Sequence, residues 1–117
     1  MKSVLKEKSY DFAVRIVKLY KYLSKEKNEF VIAKQILRSG TAVGALISEA
    51  EYAQSKPDFI AKMGIALKEA NETSYWLSLL KDRSYLDINQ FESLNTDATE
   101  LIKMLISTIK TTKSNNK

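Results

Sequence analysis

At 117 residues, with 44% hydrophobic and 28% charged side chains, the chain has the size and balance of one domain that buries a core without staples. One proline and three glycines exclude an all-β fold rich in tight turns, and the absence of cysteine removes disulfides and thiolate chemistry. The absence of histidine removes the usual general base near neutral pH and the commonest zinc ligand.

The net charge is +5, and all of it sits in residues 1–27, where eight basic residues face three acidic ones. No apolar segment follows the lysines of Met1 to Lys8, because Asp11, Arg15 and Lys18 interrupt it. The longest charge-free run, Ser39 to Ser48, is half the roughly 20 residues a membrane span needs. A cytoplasmic protein with no membrane partner is expected.

The spacing predicts four helices. The first begins near Ser3 or Ser9, either of which can cap it, and runs to about Lys25. Leu5, Phe12, Ile16, Leu19, Tyr20 and Leu23 gather on one side, with Arg15, Lys18, Lys21 and Lys25 on the other. Such a basic face serves either solubility or attraction to phosphates.

The second helix is expected from Glu29 to Ser55. Ile32, Ile36, Ser39, Val43, Ile47 and Ala50 form one face; Ala33, Leu37, Gly40 and Gly44 form a flanking stripe. Glycine inside a helix costs about 1 kcal/mol relative to alanine, so Gly40 and Gly44 point to close backbone approach by a neighbour or to a bend.

Ser55 and Asp58 bracket Pro57 as a capping signal for a third helix reaching Asp82. Phe59, Ile60, Met63, Ala66, Leu67, Ala70 and Leu77 make one face; Ile65, Trp76, Leu79 and Leu80 lie roughly opposite, among Glu69 and Glu72. A helix apolar on two sides needs cover on two sides. One face is therefore assigned to the core and the other to close packing against a second subunit, with Gly40, Gly44 and Trp76 at that interface.

Asp87 and Gln90 cap a fourth helix to about Ile109 with one conventional apolar face, and residues 111–117 are expected as a polar tail. Short connections between the four give an all-α, up-down-up-down antiparallel four-helix bundle over residues 1–110, in homo-oligomeric form.

Little chemistry is available to such a chain. A di-metal bundle needs Glu-x-x-His; Glu69 and Glu72 have the spacing but no histidine exists. Ser39, Ser48, Ser74 and Ser78 sit mid-helix, unlike a nucleophile on an exposed turn. No metal, cofactor or enzymatic activity is expected. Arg38 and Glu49, eleven residues apart, share a helix face, and Arg38 is expected to pair with a glutamate among Glu49, Glu69 and Glu72, across helices or subunits. The alternative is that all four lie at the solvent edge.

The stretches LRSGTAVGALISEA and DFIAKMGIALKEANETSYWLSLL carry a resemblance. Leu37, Arg38, Ser39, Thr41, Val43, Gly44, Ala45, Ile47, Glu49 and Ala50, then Asp58, Phe59, Ala66 to Ala70, Glu72, Thr73 and Tyr75 to Leu77, resemble the four-helix proteins related to 23S rRNA intervening-sequence proteins. Ala42 and Leu46 depart from it, standing where the family pattern has serine and asparagine. The resemblance implies a homo-oligomeric bundle, a pentameric barrel. It also implies kinship with the accessory variability protein of diversity-generating retroelements, a basic pentamer that binds nucleic acid and a reverse transcriptase. Two functions follow: an oligomer binding RNA or other nucleic acid through Arg15, Lys18, Lys21 and Lys25, with Tyr10 and Tyr22 able to stack, or a structural module that docks another protein.

Overall fold

The computed structural model describes residues 3–115. Four helices follow one another, α1 (Val4–Lys25), α2 (Val31–Ala50), α3 (Lys56–Asp82) and α4 (Ile88–Ser114), and there is no strand among the described residues. Together they measure 51 × 22 × 21 Å.

Each boundary has a local cause. Ser3, not Ser9, starts α1, its hydroxyl accepting the Lys6 N–H at 3.2 Å. Ser9 is buried instead, its hydroxyl donating back to the Lys6 carbonyl. The chain leaves α1 through Asn28 at φ 53°, and the buried carboxylate of Glu29 then accepts the Ala33 N–H at 2.8 Å, capping an α2 whose own N-cap, Phe30, offers no side-chain oxygen.

α2 stops at Ala50, five residues before the expected Ser55. Residues 51–55 are taken up by the next cap: Ser55 is extended at φ −158° and accepts the Asp58 N–H, while Asp58 accepts the N–H of Gln54 at 3.1 Å. α3 closes through Ser84 at φ 67°, with Ser84 N–H donating to Lys81 O and Tyr85 N–H to Leu80 O, the paired bonds of a Schellman ending.

Asp87 and Gln90 form a reciprocal capping box on α4. That helix runs to Ser114, past the expected Ile109, because Thr108, Ile109 and Thr112 are half-buried and Lys56 of α3 donates to the Asn115 carbonyl at 3.1 Å. Residues 111–115 are thus continuous with the helix and its terminal turn; residues 116–117 of the expected tail lie outside the described residues.

α2 packs on α1 and α3, α4 packs on α3, and α1 meets α4 along the thinnest contact. The α1–α2 register pairs Ile16 with Gly40 and Ser9 with Gly44, and Lys6 with Glu51. A Cβ on Gly40 would lie 2.7 Å from Ile16 Cγ1, and one on Gly44 would lie 3.1 Å from the Ser9 carbonyl oxygen. The close neighbour of Gly40 and Gly44 within the chain is therefore α1. Both apolar faces of α2 are covered from within, and Leu46 joins them, packed half-buried against the core in the position of the family asparagine.

The interior holds Phe12, Ile16, Leu23, Ile36, Val43, Leu77, Leu80, Leu101 and Leu105, all at most 2% exposed. Leu80, expected on the outer side of α3, points inward with them. Ser39 and Thr73 are the buried polar pair, their hydroxyls sharing a 2.8 Å hydrogen bond that leaves neither unsatisfied.

The three glycines separate two opposing effects. Gly64 in α3 has nothing within 4 Å of an added Cβ, so Gly64→Ala gains helix propensity alone and raises stability by about 1 kcal/mol. Gly40→Ala forces Ile16 to move and lowers stability by about 1–2 kcal/mol, overpacking outweighing propensity. Urea titrations of the two variants should move in opposite directions from the parent.

Candidate functional site

Two side-chain clusters lie outside the core. In the first, Arg38 on α2 reaches across to α3, one guanidinium nitrogen donating to Glu69 at 3.1 Å and another to Glu72. The Trp76 indole N–H donates to the same Glu72 carboxylate at 3.1 Å, and Tyr75 stands edge-on to the indole with ring centroids 5.1 Å apart. The i, i+3, i+7 spacing of Glu69, Glu72 and Trp76 turns all three toward α2. Glu49 does not join them; it is exposed near the C-terminal end of α2.

The indole N–H, with Arg38 beside it, holds the Glu72 carboxyl below the usual glutamate range against the opposing effect of desolvation. Hydrogen bonding to Glu72 raises Arg38 in turn. Glu69 retains 14% of its side-chain exposure and Arg38 51%, so this is a clamp at the edge of the core, not an ion pair within it. One cation set between two carboxylates fixes how α2 lies on α3.

The second cluster is basic. Lys18, Lys21 and Lys25 are exposed on successive turns of α1 and make no ion pair among the described residues. Arg15 is placed differently: it donates to Asp97 at 2.6 Å and to the Ser93 hydroxyl at 2.8 Å, and so ties α1 to α4. Beside it a groove runs between α1 and α4, lined by Lys18, Tyr22 and Gln90, and continues toward Lys27, Lys81 and Tyr85 at the end of the molecule. Lys27 stands 5.9 Å above the Tyr22 ring, and Lys81 stands 4.5 Å above Phe91. Tyr10 is 69% exposed in a separate hollow between α1 and α2, beside Glu7 and Asp11.

Lys27, Lys81 and Tyr85 were not singled out by sequence. They belong to a connection, the last turn of α3 and the link to α4, and no periodicity relates them; only the meeting of the two connections does. Among the described residues no group of three or more Asp or Glu could hold a metal ion, and no helix is long and apolar enough to cross a membrane.

Four helices around one apolar interior, with a cross-helix arginine clamp and a lysine-bearing first helix, define a small all-α module. The chain belongs to the 23S rRNA-intervening sequence protein family, whose model matches residues 1–107. It is similar, at 63% identity, to a crystal structure of a protein with unknown function from the S23 ribosomal protein family of Bacteroides thetaiotaomicron. That match covers 92% of this chain and 99% of the other, with a TM-score of 0.91. A comparison with curated proteins finds no match.

Glu72 is depressed in the folded state, so the stability it contributes is complete above about pH 5 and drains away as the pH falls through its lowered value. Arg38→Met leaves two neighbouring carboxylates without their cation and costs about 1 kcal/mol at pH 7. By about pH 3, as acid titrates Glu72 toward and through its lowered value, the difference shrinks. Urea melts of parent and variant at the two pH values measure it; an equal gap at both would remove the electrostatic role.

Proposed function

We propose that the chain is a non-enzymatic, self-assembling helical protein that binds RNA or other nucleic acid through the phosphate backbone. The single observation that carries the reading is the row Lys18, Lys21 and Lys25, three exposed cations on one helix face that make no ion pair among the described residues. Arg15 takes no part in this, being engaged with Asp97. No element offers side chains in a sequence-reading arrangement, so the binding is to backbone charge and falls steeply with salt.

The protomer is read as an up-down-up-down antiparallel bundle, supported by the falling register of α2 against α1, Ser9 with Gly44 and Ile16 with Gly40. The assembly is read as a cytoplasmic homo-oligomer, pentameric as the family resemblance implies. What supports self-association is the apolar surface left uncovered: Val14 and Val17 on α1, and Ile65 at 47% and Tyr75 at 61% exposure on α3, beside the open Gly64. The same α3 face favours a second reading, a module that docks a different protein.

Sedimentation or light scattering gives the subunit number, five being the expected result and a stable monomer the one that sinks the assembly. With three phosphate contacts per subunit, RNA affinity should fall about 20- to 40-fold between 50 and 200 mM salt. Lys18→Glu with Lys21→Glu should abolish most of the binding. Failure of the parent to bind RNA at about 50 mM salt, with a nuclease-resistant protein partner recovered instead, would favour the second reading.

A further inference from the structure

The groove between α1 and α4 combines lysines with two tyrosines, whereas a hollow on α4 lined by Lys103 and Lys110 is basic too but carries no ring. Two depressions adjoin along Tyr22, Leu86 and Gln90 and are read together as one channel. Along it lie Lys18 and Lys27, which make no ion pair among the described residues, Lys81 with Asp82 at 3.7 Å, and Arg15 already engaged by Asp97; the one carboxylate in the lining is Asp87. An oxygen of Asp87 is already occupied, accepting the Gln90 N–H at 2.7 Å. The hollow between α1 and α2 instead sets Lys6 against Glu7 and Asp11, and the one on the outer side of α4 sets Lys103 against Glu92 and Glu100. Neither of those attracts a polyanion.

The channel also carries rings. Tyr22 and Tyr85 are half-buried in its wall, with Lys27 over the face of Tyr22, and leucine side chains form its floor. From Arg15 to Lys27 the chain advances about 18 Å, room for several nucleotides. A duplex keeps its bases stacked inside and shows a protein mainly phosphate and sugar, so tyrosine rings set within a groove gain nothing from it. Bases that have left the stack lie against such rings while their phosphates meet the lysines at the rim.

We infer that this channel takes single-stranded nucleic acid, with phosphates on Lys18, Lys27 and Lys81 and unpaired bases against Tyr22 and Tyr85. The inference rests on the nucleic-acid reading above and adds to it the strand state and the location. Lys21 and Lys25, outside the channel, hold backbone phosphates on the adjoining face of α1.

The test is fluorescence anisotropy on the full chain at about 50 mM salt, with a labelled oligouridylate of about 12 nucleotides and an RNA duplex of equal length. The single strand should bind at least tenfold more tightly. Lys18→Glu with Lys27→Glu should weaken that binding tenfold or more. Lys103→Glu with Lys110→Glu, an equal change of charge on α4, should alter it less than threefold. Tyr22→Leu should lower single-strand affinity and leave duplex affinity unchanged, with Tyr22→Phe restoring it; circular dichroism confirms that each variant is folded. Equal losses from the groove pair and the α4 pair, or equal affinity for both nucleic acids, overturn the channel while leaving backbone binding intact. Failure of the parent to bind either one overturns the underlying reading as well.

Discussion

Two positions without side chains let α2 approach α1 more closely than ordinary residues permit, and much else follows from that approach. Ile16 fills the space over Gly40, and the α1 backbone at Ser9 comes down on Gly44. Ile16 is fully buried there, and so are Ala33, Ile36 and Val43 around it. Because α1 covers the flank of α2, the opposite face of α2 is free to take α3. The cost in helix propensity at Gly40, about 1 kcal/mol, is offset by the packing of a whole isoleucine against backbone. Gly64 has no such compensation within the chain, which sets it apart from the other two.

The charges divide by what they join. Lys6 with Glu51 ties α1 to the end of α2, Arg38 with Glu69 and Glu72 ties α2 to α3, and Arg15 with Asp97 and Lys8 with Glu100 tie α1 to α4. Exposed pairs of this kind contribute at most about 1 kcal/mol each, so their effect lies in setting register more than in holding the fold. The α1–α4 contact is the thinnest and relies most on such polar ties. A seam closed partly by long polar side chains stays open along its length, and the lysine-rimmed channel is the result.

Much of the architecture was legible in the chain. Period-3.6 apolar spacing marked Leu5, Phe12, Ile16, Leu19 and Leu23 as the inner side of α1, and Ser55, Pro57 and Asp87 marked two helix starts. The ends were harder to read. Nothing local in residues 51–55 breaks a helix; the chain is drawn out by the cap it must make for α3. The end of α4 was set by half-buried threonines and by a lysine from another helix. A cap that is supplied by residues distant in sequence leaves no local signature.

The sequence by itself determined that the chain is helical, that it has the means for a core, that its excess charge lies in the first quarter, and which residue types it lacks for catalysis. These follow from composition and periodicity, which each residue carries wherever it sits. Tertiary structure alone decided who covers whom. It gave the second face of α2 to α1, withdrew Arg15 from the basic surface to Asp97, set Glu49 apart from Arg38, and brought Lys27 and Lys81 alongside Tyr22. A helical face states that it needs a neighbour without naming one, because apolar contact is non-directional and the partner's position depends on how all four helices pack at once.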